Sequence, residues 1–148
     1  DSYGHDVEAG WLLCEAARVL EDRQLMDRAN RLALDVTDAC LAEGLSDKGY
    51  MMYEKKGGRT TGHASWWGQI ETMIACVNAW QISGNDVYLQ SADTVWTFVK
   101  DCMIDREYGE WYSDCFDGEP KKDTPKVSMW RCPYHTVRLG VEIHNRLK

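Results

Sequence analysis

Apolar residues recur at helical spacing along most of the chain. Val7, Trp11, Leu12, Ala16, Val19 and Leu20 lie on one stripe and predict a first helix that closes at Glu21-Asp22-Arg23-Gln24. Leu25, Ala29, Leu32, Ala33, Val36 and Ala39 predict a second, which Gly44 stops. Residues 45–64 lose the period and carry Gly49, Gly57, Gly58 and Gly62; within them, Tyr50-Met51-Met52-Tyr53 and Lys55-Lys56-Gly57-Gly58 predict a small β-hairpin. A third helix starts at Ser65, a natural N-cap, runs through Ile70, Ile74, Val77 and Trp80, and turns at Ser83-Gly84-Asn85. The fourth follows through Val87, Leu89, Ala92, Val95, Trp96 and Val99. A second long connection, 105–131, holds Glu110-Trp111-Tyr112 and Asp117-Gly118, which predict another hairpin. Pro133 takes the first position of a last helix ending near Leu147.

The plan is helix, short turn, helix, long loop, repeated. Three clusters of polar and aromatic residues mark the helix starts around positions 5, 67 and 135, a spacing of 62 and then 68 residues. That is an internal repeat of helical hairpins, and it predicts an all-α toroid of about five helices with two long hairpin-containing loops. The motif helices face inward with polar and aromatic sides: Glu8 and Glu15; Trp67, Glu71 and Asn78; His135, Arg138 and Glu142. Each long loop feeds a motif, so the chemistry is expected at the long-loop end. Two and a half hairpins make an arc, not a closed ring.

Composition narrows the partners. The net charge is -7 with a pI near 5.0, and the basic residues are scattered among acids, so neither nucleic acid nor an anionic membrane is expected. No apolar run approaches the ~18–20 residues of a membrane span. The six cysteines form no C-x-x-C pair and read as reduced, buried thiols of a cytoplasmic protein. The chain opens at Asp1, directly on a motif and without an initiator Met, so it reads as a piece of something longer.

His5 and His135 stand at equivalent repeat positions, and Glu8 follows His5 by one turn at i+3. With Pro133 at the first position, His135 is the third residue of its helix, where the positive end of the dipole disfavours a second positive charge. Two histidines so placed are the parts needed to move protons. Trp66, Trp67 and Trp130 offer flat apolar walls and Glu71 a carboxylate beside them, a combination that suits a sugar ring. Trp11, Trp80 and Trp96 lie on apolar stripes and read as core, while His63 and His144 lack the site context. A metal at His5-x-x-Glu8 would need further ligands that no cysteine or second histidine is spaced to give. Glu8 and Glu71 also leave open a carboxylate pair of glycoside hydrolase type.

Ser2-Tyr3-Gly4-His5-Asp6-Val7-Glu8, Trp66-Trp67-Gly68-Gln69-Ile70-Glu71 and Trp130-Arg131-Cys132-Pro133-Tyr134-His135 together resemble the N-acylglucosamine 2-epimerase superfamily, and within it the cellobiose 2-epimerase branch. The resemblance spans nearly the whole chain but only the C-terminal part of a family member, so residues 1–148 are expected to be that portion of an (α/α)6-barrel domain. It implies His5 and His135 as the acid/base pair, Glu8 as support near His5, and Trp67 and Trp130 as stacking walls, with Trp66 and Glu71 also on the substrate. It further implies a small sugar substrate, no cofactor and no metal; the open arc, with flanks that missing hairpins would cover, is expected to self-associate or to take a companion N-terminal chain. An aldose–ketose isomerase of the same superfamily, or a non-catalytic sugar-binding fragment, would share most of these parts. Gly68 stands where a proline is common in the family and Thr136 where an asparagine is common.

Overall fold

The computed structural model describes residues 2–148, so Asp1, on which the chain opens, lies outside the described residues. Five α-helices follow the expected order: α1 (Tyr3–Val19), α2 (Arg23–Gly44), α3 (Trp66–Ser83), α4 (Val87–Phe98) and α5 (Tyr134–Arg146). Asp22 caps α2 by accepting from the backbone N–H groups of Gln24 and Leu25 at 2.9 and 3.1 Å. Gly84, left-handed at φ 70°, ends α3 where the turn was expected. Ser65 does precede α3, yet its side chain makes no cap hydrogen bond. α4 runs on as a π-helical turn, Val99–Met103, past its expected end. Pro133 is the N-cap residue of α5 and not its first helical residue, which places His135 second.

α3 is the axis of the arc. It packs against α1, α2, α4 and α5, and every residue from Gly68 to Ala79 is buried, because neighbours cover it on all sides. The main core gathers Val7 and Trp11 from α1, Ile70, Met73 and Ile74 from α3, Val95 and Phe98 from α4, and Met51, Trp111 and Cys115 from the loops. α1, α3 and α5 form one inner layer, joined by two arginines of α5. Arg138 reaches Glu8 and Glu71 near the motif end; Arg146 reaches Glu15 and, at 3.0 Å, Asn78 two turns further on. The expected inward polar faces are thus present, and their charges are paired across helices.

Both hairpins form, each shifted a few residues toward the C-terminus. β1 (Glu54–Lys56) pairs with β2 (Arg59–Thr61) around Gly57-Gly58, and β4 (Asp114–Phe116) with β5 (Glu119–Pro120) around Asp117-Gly118. Tyr50–Tyr53 and Glu110–Tyr112 lie outside these strands and make only isolated bridges, Met51 to Leu45 and Trp111 to Ile104. β3 (Ala64–Ser65) joins β4, with Ala64 opposite Cys115, so the two long loops share one small sheet at the start of α3. Cys14, Cys40, Cys76 and Cys115 are buried free thiols, and burial pushes Cys40, Cys76 and Cys115 up to about 12. Cys132 is exposed, against expectation, because it lies in the loop before α5. Among the described residues, no helix is long and apolar enough to cross a membrane.

Candidate active site

The three motifs meet at the long-loop end. Gly4, in the first turn of α1, lies against the Trp67 indole so closely that a Cβ there would come within 2.5 Å of the ring. That approach sets His5 on Trp67, ring centroids 4.5 Å apart, with Ser2 Oγ 2.8 Å from His5 Nδ1. His5 is exposed at the mouth of the site. On the other side His135 is buried, 6.1 Å from both Trp66 and Trp67 and 3.9 Å from the ring of Tyr134.

Beneath His135 lies Glu71, 0% exposed, with Oε1 2.7 Å from His135 Nδ1. Burial pushes the Glu71 carboxyl up, but hydrogen bonds from His135, Arg138 and Trp11 and the Arg138 charge outweigh it and hold it below the ordinary carboxyl value. A carboxylate only accepts, so Nδ1 carries the hydrogen. Trp11 supplies the second tie, its Nε1–H donating to Glu71 Oε2 at 2.9 Å. Arg138 Nη2 lies 2.5 Å from Glu8 and 2.6 Å from Glu71. Burial pulls the Arg138 guanidinium down, but the two carboxylates more than offset it and raise it above its ordinary value. Glu8, Glu71 and His135 bring ligand atoms within 4.8 Å of one another, a grouping that attracts a cation. The cation among them is Arg138.

Six of the seven residues singled out in the sequence come together: His5, Glu8, Trp66, Trp67, Glu71 and His135. Glu8 faces Arg138 and, through it, His135. Trp66 forms a wall between His135 and Arg131, whose guanidinium carbon lies 4.9 Å over the indole. Trp130 is 81% exposed on its loop and joins none of the ring contacts of the site among the described residues. Arg138 was expected on the inward polar face of the last helix, and the structure brings it to both acids; apolar periodicity hid Trp11, which sits on a core stripe with only its indole N–H facing the carboxylate. Arg131, part of the third motif, is buried, donating to Ser113 Oγ at 2.6 Å and to Trp111 O. Thr136 turns its hydroxyl back to Pro133 O at 2.9 Å. Trp80 bonds Asp86 at 3.1 Å and Trp96 is exposed, so neither is plain core.

The profile of the family described as N-acylglucosamine 2-epimerase (GlcNAc 2-epimerase) matches residues 2–138. A cellobiose 2-epimerase of Bacteroides fragilis is 40% identical over 147 residues, covering 96% of this chain and 37% of that protein. One from Dictyoglomus turgidum is 33% identical, covering 99% of this chain and 38% of its own length. Among solved structures, a sugar epimerase from a ruminal bacterium superposes with a TM-score of 0.93 at 36% identity, over 98% of this chain and 38% of that one. The chain therefore spans under two-fifths of the length of these relatives.

Proposed function

The chain belongs to the N-acylglucosamine 2-epimerase family, and from that premise we propose that the protein inverts C2 of a reducing-end aldose, such as cellobiose or an N-acylglucosamine. The observation that carries the reading is the buried Glu71–His135 pair at 2.7 Å, with a second histidine on the other side of the same site, against Trp67. The sugar ring opens, and His135 Nε2 takes the C2 proton to leave a cis-enediolate. Glu71 stabilises the resulting imidazolium and keeps its ring oriented. Rotation about C2–C3 turns the other face, and His5 returns a proton there. In the reverse direction the histidines exchange roles. Trp67, touching both imidazoles, is the wall on which the sugar stacks.

Glu71 does not suit the general acid of a hydrolase. A general acid must hold a proton, whereas this carboxylate is kept ionised by the hydrogen bonds of three side chains. The barrel that closes the site, in this reading, is completed by helices outside this chain.

Proton NMR in deuterated water tests the proposal on the full-length protein with cellobiose. Loss of the C2–H signal together with a second 2-epimer is expected. Glycosidic cleavage with C2–H retained would establish a hydrolase, and accumulation of a ketose an aldose–ketose isomerase.

A further inference from the structure

The charge arrangement under His135 has a feature that proton transfer alone does not require. Around that imidazole, α1 contributes Glu8, and α3 contributes Glu71 with the rings of Trp66 and Trp67. α5 contributes Arg138 and Tyr134, the loop before it contributes Arg131 behind Trp66, and His5 stands beyond Trp67. Two carboxylates converge here, and one nitrogen, Arg138 Nη2, meets both while lying 3.2 Å from His135 Nδ1. The remainder of the guanidinium is given over to packing. Its carbon sits 5.3 Å from the Trp11 ring and 5.7 Å from the Tyr134 ring, and its Nε is buried with no hydrogen-bond partner among the described residues. A side chain that forgoes the Nε bond, yet brings one nitrogen to both acids, is placed for its charge more than for its hydrogen bonds.

We propose that Arg138 is a positioning residue that sets the charge beneath His135, cancelling one of the two carboxylates so that a single net negative charge faces a ring that takes up and releases a single proton. With Arg138 neutral, two uncompensated acids would favour the imidazolium, and His135 would hold its proton at the pH where it has to accept one. With Glu8 neutral, the net charge would vanish and the imidazolium would lose its support. The two changes therefore act on His135 with opposite sign, which damage to the fold does not do. The inference rests on the acid/base reading of His135.

The test is a titration of the full-length protein with isotope-labelled histidine, followed by NMR, the His135 signals being those lost in His135→Asn. Arg138→Gln is expected to raise the His135 midpoint and Glu8→Gln to lower it, each by roughly one pH unit or more. Arg138→Lys, which keeps the charge and loses the fork, should leave it near the wild-type value. Shifts of the same sign, or none, would overturn the inference. Should Arg138→Gln fail to fold, Glu8→Gln decides alone, and a midpoint that stays or rises overturns it. Because the readout needs no turnover, the two failures separate: wild-type protein without C2–H exchange would remove the epimerase reading while leaving opposed shifts to stand or fall by themselves.

Discussion

Glu71 is a charged group with no exposed surface, held by an indole from α1 and by an imidazole and a guanidinium from α5. Each donor offsets part of the cost of burying the charge, so removing one is felt as a loss of both stability and alignment. Trp11→Phe keeps the packing and deletes only the N–H on Oε2. We expect it to cost about 1–3 kcal/mol in denaturant unfolding and to lower kcat more than it raises KM. His135→Asn should fold, since the first turn of a helix tolerates Asn, and should lower kcat by roughly 10²–10⁴-fold. His63 is the contrast. It lies between Tyr53 at 4.7 Å and Phe116 at 5.0 Å, so His63→Asn should lose about 0.5–1.5 kcal/mol of ring packing while kcat stays near wild type. Equal losses of kcat from both histidine variants would undo the assignment. At this scale the sequence showed the two histidines and two of the walls, because motif residues at helix starts stand out from the apolar period. It hid Trp11, whose one polar atom does not alter the hydrophobic pattern, and it gave no sign that Trp130 would stay in solvent.

The first three helices were legible because each carries a long stripe and a visible stop, the last because Pro133 marks its start, and the loops were legible only in part. Gly57-Gly58 and Asp117-Gly118 mark turns whatever surrounds them, and both hairpins formed there. Their strands slipped from the expected positions because Met51 and Trp111, apolar and strand-like, were drawn into the core by the helices. The β3–β4 pairing had no local signal at all: two residues meet a partner some 50 positions away. The second long loop is anchored by Asp105, which pairs with Lys126 through Oδ2 and accepts from the Glu107 and Tyr108 backbone N–H groups at 2.9 and 3.2 Å. The Lys126 hydrogen bond is the largest influence, and together these contacts hold the Asp105 carboxyl down to about 2. A depressed carboxyl stabilises the fold fully above its unfolded value, ~3.9, and that contribution is lost as the pH falls toward about 2. Acid unfolding should therefore show a stability gap between wild type and Asp105→Asn that is constant above that unfolded value and shrinks below it. A gap that widens on acidification would show that the loop is anchored some other way.

At the scale of the molecule, an inner layer whose charges are paired across α1, α3 and α5 borders two flanks that are not paired. On one, Leu13, Leu20, Leu25 and Leu32 line a groove of about 500 Å³ between α1 and α2, and Leu20 is 66% exposed. On the other, α5 turns Val137 and Val141 outward, with Val137 61% exposed. In the closed ring that the proposed function assumes, neighbouring hairpins would cover these faces, and apolar patches of this kind on a free chain seek a partner. α3 differs: among the described residues, its stretch from Gly68 to Ala79 is buried throughout by its own chain. The fold of the arc should therefore persist in isolation around α3 while its two flanks drive association, and the site, open on the side away from α3, should turn over poorly. Sedimentation of the isolated chain should show concentration-dependent self-association that charged substitutions at Leu20 and Val137 reduce, and addition of the remaining barrel helices as a separate chain should replace it with a defined complex that regains C2–H exchange. A monomer at all concentrations, epimerising at the full-length rate, would mean that these five helices already make a whole site.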